Sequence, residues 1–317
     1  MNNLTLTQSV IICTRNRPAD IVRALRSIAQ QTQMPDQLII VDSSDVPLVQ
    51  LSEFRESFSA DHFALTQLEY LHSKPGLTYQ RNRGIEHATG ALVHFLDDDI
   101  ELEPAYLQAM HQSFVENPEY VGGMGSVTNI AAQRKDFDWW LRRFFLLQRD
   151  YSSGFFTPSG MPMHAYGTTR FKSVHVLGGC CMAYRRAVLQ ECVFDEQLSG
   201  YCAMEDADMS WRVSRKYPLF FNPAARLAHF ASPTARDRIE DTKAMFMRNY
   251  RYLFFKNVYP QHTLTLLAHW WSIVGLLLQA VRYRDHAALR GYYRGLRASH
   301  SPMQIPQAER KIKSITE

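Results

Sequence analysis

The chain has 317 residues, of which 46% are hydrophobic and 21% charged, which is ordinary for a globular protein with a proper core and excludes a disordered one. The formal net charge of +4 is too small to indicate a nucleic-acid partner. Five cysteines without framework spacing favour a reducing compartment. The N-terminus has no basic segment before a long apolar run, so we expect a cytoplasmic protein.

Short β-rich runs alternate with helical patterns in the first hundred residues. The predicted strands are SVIICTR (9–15), QLIIVDSS (37–44), LEYLHS (68–73) and ALVHFL (91–96). After the first strand, Ile21, Leu25 and Ile28 recur at helical spacing. The segment 76–90 is typical of a loop and a helix closed by Gly90. This alternation predicts an α/β fold, with a mostly parallel sheet and helices on both faces.

Polar residues follow three of these strands, at the point where each strand ends. They are Thr14, Arg15, Asn16 and Arg17 after the first strand, Asp42 and Ser43 after the second, and Asp97, Asp98 and Asp99 after the fourth. In such sheets, ligands bind in the crevice beyond the carboxyl ends of the strands. We therefore expect these side chains to gather at one edge and to bind a polar, charged ligand.

Three consecutive aspartates, Asp97 to Asp99, stand directly after a hydrophobic run. Two carboxylates separated by one residue can reach one Mg²⁺ or Mn²⁺ ion, which keeps open positions for phosphates. The competing interpretation is a solvated acidic turn, or Asp99 capping a helix that begins in ELEPAYLQAM. The motif alone leaves both interpretations open.

A second acidic group opens the helical segment in GYCAMEDADMSWRVSRK (200–216). Asp208 and Arg212 are spaced as a helical ion pair, which accounts for Asp208. Glu205 and Asp206 follow a small, flexible stretch and are candidates for a general base. Their alternative role is to complement the dipole of the first helical turn.

His229 follows a short apolar run in LAHFASPTARDR (227–238). Imidazole is a common ligand of Mn²⁺-like metals and also a frequent core residue. Arg236 and Arg238, in the loop that follows, would either meet phosphate or be solvated. A zinc site from Cys180, Cys192 and Cys202 lacks the usual CxxC spacing.

The second half of the chain contains long loops and an apolar segment. The stretch 152–167 is rich in Gly, Pro, Ser and aromatic residues, and a loop of this length is usually functional or disordered. The apolar stretch LTLLAHWWSIVGLLLQAV (264–281) follows an aromatic, basic segment at 137–151. It is slightly short for a spanning helix, so the interpretations are a buried helix, an interfacial helix on a bilayer, or a span.

Four quoted stretches together carry a resemblance to a known family. They are SVIICTRNRPADIVRALRSIAQQT, LIIVDSSD, GLTYQRNRGIEHATGALVHFLDDDIEL and LGGCCMAYRRAVL with FDEQLSGYCAMEDADMSWR. Their order and spacing resemble the GT-A fold glycosyltransferases of the large bacterial family 2, from about residue 8 to 232. The resemblance implies a catalytic domain over 1–235 and a C-terminal helical region over 236–317, with membrane association as one role of the latter.

The resemblance implies an inverting transfer of a sugar from a nucleotide-sugar donor to an acceptor hydroxyl. It implies that one set of residues surrounds the donor nucleotide: Thr14, Asn16, Arg17, Asp42, Arg81, Asn82, Asp97 and Asp98. Within it, Asp42 would accept from the base, Arg81 and Asn82 would lie near the diphosphate or ribose, and Asp97 would bind the ribose. Whether Asp98 contacts donor or metal stays open.

The same resemblance implies roles for the remaining acidic residues and the histidine. Asp99 and His229 would bind a divalent cation, Mn²⁺ or Mg²⁺. Asp206 would be the general base, and Glu205 would orient the acceptor or support that base. The acceptor would be a glycan or a lipid-linked glycan in cell-surface polysaccharide biosynthesis, at the cytoplasmic face of the membrane. The donor base, the sugar and the oligomeric state stay open.

Three other classes of protein compete with this interpretation. A nucleotidyltransferase usually has a Gly-rich loop after the first strand, where this chain reads CTRNRP. A non-catalytic glycosyltransferase-like protein would be expected to lose a metal or base residue, and Asp97, Asp99, Asp206 and His229 are all present. A processive synthase normally carries several spanning helices and a Q-x-x-R-W motif, which does not follow EDADMSWR.

Overall fold

The computed structural model describes residues 6–130, 134–149, 153–166, 168–198, 203–230, 239–259 and 264–298. The strands in these residues are β1 (Gln8–Thr14), β2 (Gln37–Asp42), β3 (Gln67–His72), β4 (Leu92–Asp97), β5 (Ile100–Leu102), β6 (Gly122–Val127), β7 (Lys172–Val174), β8 (Cys181–Arg185) and β9 (Leu219–His229). The helices are α1 (Pro18–Ile28), α2 (Ser52–Ser57), α3 (Leu77–His87), α4 (Tyr106–Glu116), α5 (Phe137–Phe144), α6 (Arg186–Glu191), α7 (Glu205–Ser214), α8 (Ile239–Leu253), α9 (Thr265–Arg282) and α10 (His286–Arg297). The predicted α/β class is confirmed.

The first four strands form the parallel half of the sheet, in the order β3-β2-β1-β4. Both β1 and β2 are apolar runs buried on both faces, as parallel strands covered by helices usually are. The predicted apolar stripe of helix α1, formed by Ile21, Leu25 and Ile28, is buried in the core of the sheet. Helix α3 ends at His87, three residues before the predicted stop at Gly90.

The strand register brings the carboxyl ends together at one edge. Thr14 pairs with Asp42, and Cys13, next to it, pairs with Asp97. The polar residues that follow these strands therefore emerge side by side, as the sequence predicts.

The second half of the sheet is mixed rather than mostly parallel. Strand β8 runs antiparallel to β4 and β6, whereas β9 is parallel to β6 and antiparallel to β5 and β7. Leu96, near the end of β4, pairs with Cys181 at the start of β8. The long connection from β6 to β8 therefore begins and ends at the same edge of the sheet, so β8 returns antiparallel. This connection passes the edge where the aspartates lie.

Two main hydrophobic clusters stabilise the described residues. The larger one fills both faces of the sheet and includes Phe95, Tyr106 and Phe220. The smaller one joins α8, α9 and α10 to the 145–161 segment and to the start of α7, with Met204, Tyr250 and Ile273 among its members. The predicted boundary at 235/236 lies outside the described residues, as do Arg236, Arg238 and Cys202.

The apolar stretch at 264–281 forms α9, as a helix with one buried face. His269, Ser272 and Leu276 point into the smaller cluster, whereas Leu267, Trp270 and Val274 are exposed. Within the described parts of the chain, every helix is too short or too polar to cross a bilayer. One face of α9 is therefore buried against the protein. The opposite face is apolar and exposed to solvent.

Candidate active site

The first acidic group of the site consists of Asp97, Asp99 and His229. Strand β5 pairs antiparallel with β9 so that Ile100 lies opposite His229. This pairing places His229 Nε2 at 2.9 Å from Asp99 Oδ1 and 4.0 Å from Asp97 Oδ2. One ligand atom from each of the three side chains lies within 4.8 Å of the others. The sheet therefore assembles two carboxylates and one imidazole from distant parts of the chain.

The electrostatics of this group suit a cation. The hydrogen bond to Asp99 raises the pKa of His229 to about 9, against the opposing effect of burial. Burial raises the pKa of Asp97, and the neighbouring carboxylates raise it further. Two carboxylates and an imidazole are a donor set that fits Mn²⁺ or a similar divalent ion. The alternative in which Asp99 caps a helix is wrong, because residues 100–102 form β5 and α4 begins only at Tyr106.

Asp98 points to a different set of partners. Its Oδ2 accepts from Thr14 Oγ1 at 2.7 Å, and its Oδ1 accepts from Arg17 Nη1 at 3.0 Å. Arg17 also lies 3.7 Å from Asp99 Oδ2. Burial raises the pKa of Asp98 to about 7, although Arg17 and Thr14 oppose this effect. Asp98 thus ties the loop after β1 to the aspartate turn.

The second acidic group lies at the N-terminus of α7. Glu205 and Asp206 begin this helix directly after Met204, which has the left-handed φ of 75°. Arg81 on α3 donates to Glu205 Oε1 at 2.8 Å and also lies 3.3 Å from Asp97 Oδ1. One buried guanidinium therefore connects the two acidic groups. The predicted contact of Arg81 and Asp97 with the donor stays a prediction.

Gly179 lies between these charged side chains. Its carbonyl accepts from Arg81 Nη2 at 3.0 Å, and its N–H donates to Asp206 Oδ2 at 3.0 Å. A Cβ atom at this position would lie only 3.3 Å from Glu205 Oε1 and 3.4 Å from Asp206 Cβ. Glycine therefore allows the backbone to enter the site and to hold the Asp206 carboxylate.

Neighbouring groups shift the pKa values of the two carboxyl groups of α7 in opposite directions. Burial raises the pKa of Glu205 to about 7, and Asp206 adds to this effect, whereas Arg81 opposes it. Burial also acts on Asp206, but a contact with His164, the Ala207 N–H and Arg81 outweigh it and lower its pKa. Asp206 is thus the more readily ionised of the two and the better candidate for a proton acceptor near neutral pH.

Asn16 and Asp42 organise the loops after β1 and β2. The Asn16 side chain donates to Asp45 Oδ2 at 2.8 Å and accepts from the Asp45 N–H, at a left-handed φ of 55°. Asp42 is fully buried, and its carboxylate accepts from the N–H groups of Ser44 and Leu48 and from the Tyr70 hydroxyl. Both residues shape the rim of the crevice, while their contact with a nucleotide stays a prediction.

Asn82 and Asp208 hold the surrounding segments. The Asn82 amide exchanges hydrogen bonds with the backbone of Phe194. Asp208 forms the predicted pair with Arg212, Nε–Oδ2 2.9 Å, and also accepts from Lys256 Nζ at 2.9 Å. Lys256 belongs to the π-helical turn Phe254–Val258 that follows α8, so the C-terminal helices are joined to α7 by a buried ion pair.

His164 is a residue of the site that no motif of the sequence indicates. It lies in the Gly-, Pro- and aromatic-rich connection between β6 and β8, with its Nε2 atom 3.5 Å from Asp206 Oδ2. The only indication was the length of that loop. A contact across 42 positions of the chain cannot be derived from local pattern.

The mixed α/β sheet with its flanking helices is the GT-A fold of glycosyltransferases. The model of the family described as glycosyl transferase family 2 matches residues 9–193, more than half of the chain. The chain belongs to glycosyl transferase family 2.

Two relatives of known sequence share parts of the chain. The uncharacterized glycosyltransferase YwdF of Bacillus subtilis is 25% identical over 237 residues, covering 74% of this chain and 78% of YwdF. The glucosyl-dolichyl phosphate glucuronosyltransferase of Haloferax volcanii is 28% identical over 134 residues, or 40% of each protein. The chain therefore matches less than half of the length of the Haloferax protein.

Two solved structures share the fold. The mannosyltransferase PcManGT from Pyrobaculum calidifontis, in complex with GDP-Man and Mn²⁺, aligns with a TM-score of 0.56 at 16% identity, covering 94% of this chain and 89% of that chain. GalNAc-T7 with UDP, GalNAc and Mn²⁺ aligns with a TM-score of 0.55 at 15% identity, covering 80% of this chain and 48% of that chain. At these identities the likeness shows the fold alone.

Proposed function

We propose that this glycosyltransferase transfers a sugar with inversion from a nucleotide-sugar donor to a hydroxyl of a glycan or lipid-linked acceptor, in cell-surface polysaccharide biosynthesis. The observation that carries the proposal is the presence of two acidic groups with different chemistry in one crevice. Asp97 and Asp99 face His229, whereas Asp206 faces Gly179 and is the more readily ionised carboxyl of α7. The first group is suited to binding a cation and a diphosphate, and the second is suited to accepting a proton.

The first group would hold the cofactor. Asp97, Asp99 and His229 would bind Mn²⁺ or Mg²⁺, which supplies electrostatic stabilisation of the diphosphate leaving group when bound. Placing Asp97 among the metal ligands extends the ribose role that the family resemblance implies for it. Arg81, which already contacts Asp97, adds a positive charge on the same side of the crevice.

The second group would serve the acceptor. As the acceptor oxygen bonds to the anomeric carbon, the carbon–oxygen bond to the diphosphate breaks and its electron pair leaves with the diphosphate. The proton of the acceptor hydroxyl passes to Asp206. Glu205 holds Arg81 through its ion pair and so supports the base side of the crevice rather than competing for the same proton.

Donor binding would use the residues at the ends of β1, β2 and β4. Arg17 carries a positive charge beside Asp98 and Asp99, where it would face the diphosphate. The base would lie along the rim that Asn16 and Asp42 organise. Two residues would act on the donor indirectly, through the segments that they hold. Thr14 holds Asp98, and Asn82 holds residues 194–196.

We further propose that α9 of the C-terminal helical region, 236–317, makes the peripheral contact with the cytoplasmic face of the membrane together with α5. Helices α5 and α9 present a joint apolar surface, here called the α5–α9 surface, formed by Phe137, Trp140, Phe144, Leu267, Trp270, Trp271, Val274, Leu278 and Val281. All nine side chains are exposed, Leu267 at 76% and Phe137 at 63%. Trp271 Nε1 donates to the Phe144 carbonyl at 2.9 Å, so the two helices form one continuous patch.

The chemistry of this patch favours an anionic lipid surface as its occupant. Exposed Arg143, Arg282 and Arg284 flank the apolar side chains, and the Arg282 guanidinium lies 4.8 Å from the Phe137 ring centroid. Tryptophan and arginine at the rim of an apolar patch are typical of elements that lie in the headgroup region. A protein held in this way would meet an acceptor carried on a membrane lipid.

The nucleotide requirement tests the proposed function. We would titrate the protein with UDP, dTDP, GDP and CDP by calorimetry, first with Mn²⁺ and then with EDTA. The proposal predicts binding of one nucleotide that EDTA abolishes or strongly weakens. Binding of none of the four nucleotides would contradict it and favour a non-catalytic member of the family.

A further inference from the structure

His164 lies directly beside the proposed base, in a position that packing fixes. Its ring stacks on that of Tyr166, with centroids 5.2 Å apart and an angle of 18° between the planes. The Tyr166 hydroxyl lies 3.9 Å from Cys180 Sγ, so Tyr166 is itself held against β8. The Nε2 atom of His164 is buried and lies 3.5 Å from Asp206 Oδ2, slightly beyond hydrogen-bond length.

The backbone fixes the rest of the Asp206 carboxylate. Oδ1 accepts from the Ala207 N–H at 2.7 Å, and Oδ2 accepts from the Gly179 N–H at 3.0 Å. These two N–H groups set the position of the carboxylate but carry no charge that can change. The imidazole of His164 is the neighbouring side chain whose Nε2–H can donate to Oδ2.

We propose that His164 is a positioning residue for Asp206. The His164 Nε2–H donates to Asp206 Oδ2 and keeps the carboxylate ionised and oriented toward the acceptor. This inference rests on the proposed function, because it assigns a partner to the proposed base. The proton of the acceptor hydroxyl still passes to Asp206, and no bond to His164 forms or breaks. His164 acts through Asp206 alone.

The contact with His164 has a predictable effect on the pKa of Asp206 and therefore on the pH profile. The titratable groups that interact with the Asp206 carboxyl are His164 and Tyr166 from the β6–β8 connection, Tyr184 from β8, Arg81 from α3, Glu205 from α7 and Asp97 from β4. Of these, His164 and Arg81 lower the pKa of Asp206, while burial raises it. Removing the imidazole therefore raises the pKa of Asp206, and the acidic limb of kcat/KM moves to higher pH.

The experiment compares His164→Ala and His164→Gln with the wild-type protein. The assay is release of nucleoside diphosphate from UDP-glucose, UDP-N-acetylglucosamine, GDP-mannose and dTDP-rhamnose in the presence of Mn²⁺. We expect His164→Ala to lower kcat about 10- to 100-fold at unchanged donor KM, as for other residues that orient a reactive group. His164→Gln, whose amide can still donate, should restore part of kcat but retain the shifted acidic limb.

A second measurement does not depend on turnover. In the full-length protein, the Cε1–H resonance of His164 in a ¹H–¹³C spectrum should shift in the Asp206→Asn variant. His175 is the matched control, because its ring packs on Phe155 and not on the site. Its resonance should stay in place, and His175→Gln should keep the wild-type kcat and pH profile.

The outcomes separate this inference from the proposed function. Wild-type kcat and pH profile in His164→Ala, or an unchanged His164 resonance in Asp206→Asn, would overturn the inference. A fall in kcat with an unmoved acidic limb would assign His164 to packing and would also overturn it. If Asp206→Asn itself kept the wild-type kcat, the proposed base would fail first.

Discussion

Arg81 and Glu205 form a buried ion pair, with Nη1 2.8 Å from Oε1, between the two acidic groups of the crevice. The other terminal nitrogen of Arg81 reaches Asp97 and the Gly179 carbonyl. One side chain thus fixes the distance between the proposed metal group and the helix that carries Asp206. Breaking a buried pair leaves the remaining charge without compensation, which is costly.

We predict that Arg81→Met destabilises the protein by about 3–5 kcal/mol, because Glu205 and Asp97 lose their buried counter-charge. The free energy of unfolding from urea titrations measures this. Arg83→Met is the matched control, since Arg83 lies on the same helix but is half-exposed and pairs with Glu86, one turn away at the surface. Its expected effect is below about 1 kcal/mol. Equal stability of both variants would show that the Arg81 pair has no structural role.

Replacing a proposed metal ligand should weaken cation binding without unfolding the protein. We expect Asp99→Asn to reduce Mn²⁺ affinity at least about tenfold, because it removes an ionised oxygen from the donor set. Electron paramagnetic resonance of Mn²⁺ added to the protein reports the unbound ion directly. Asp61→Asn, which changes an exposed carboxylate away from the crevice, should leave the affinity unchanged. Wild-type affinity in Asp99→Asn would remove Asp99 from the site.

The buried pair between Asp208 and Lys256 should stabilise the protein in a pH-dependent way. Burial raises the pKa of Asp208, but Arg212, Lys256 and Asn257 outweigh this effect and lower it. A carboxyl whose folded pKa is lowered contributes stability above its ordinary pKa and loses it as the pH falls through the folded value. We predict that Asp208→Asn lowers the free energy of unfolding at pH 7, and that the difference from wild type shrinks only below about pH 4.

Urea titrations of both proteins across this pH range test that dependence. Asp241→Asn is the control, because Asp241 is exposed and pairs with Arg294 at the surface, where such pairs contribute little. A difference between wild type and Asp208→Asn that stays constant down to pH 3 would contradict the assignment of Asp208 as the titrating group.

The α5–α9 surface predicts a measurable affinity for anionic membranes. Wild-type protein should float with vesicles of phosphatidylcholine and phosphatidylglycerol, and less with phosphatidylcholine alone. The variant Trp140→Ser/Trp270→Ser should remain at the bottom of the gradient, because two exposed indole rings are lost. Leu65→Ser is the control, since Leu65 is 93% exposed but lies outside this surface. Membrane docking would be contradicted if the double variant still floated with the vesicles. It would also be contradicted if the wild-type protein formed a dimer that the two substitutions dissociate.

The edge of the sheet could be predicted from the sequence, because the strand ends follow from local pattern and parallel strands share one carboxyl edge. Thr14, Asp42 and Asp97 emerge side by side for that reason. The ion pair of Asp208 with Arg212 could also be predicted, because helical spacing places the two side chains one turn apart. Such signals depend on neighbours within a few residues.

The remaining parts of the site depend on pairings that local pattern does not contain. His229 reaches Asp99 only because the three-residue strand β5 pairs with β9, where the sequence had suggested a helix start. The sheet is mixed because the β6–β8 connection returns at the same edge, which also brings His164 to Asp206. Lys256, close to Asp208, comes from a helix outside the family resemblance.

The most direct test of the account is Asp206→Asn, assayed for both binding and turnover. We predict that binding of the preferred nucleoside diphosphate with Mn²⁺ stays at the wild-type level, because Asp206 lies outside the metal group. Release of nucleoside diphosphate from the corresponding nucleotide sugar should fall about 10²- to 10⁴-fold, since the acceptor loses its base. Turnover at the wild-type rate would contradict the division between the two acidic groups and would make Glu205 the next candidate for the base.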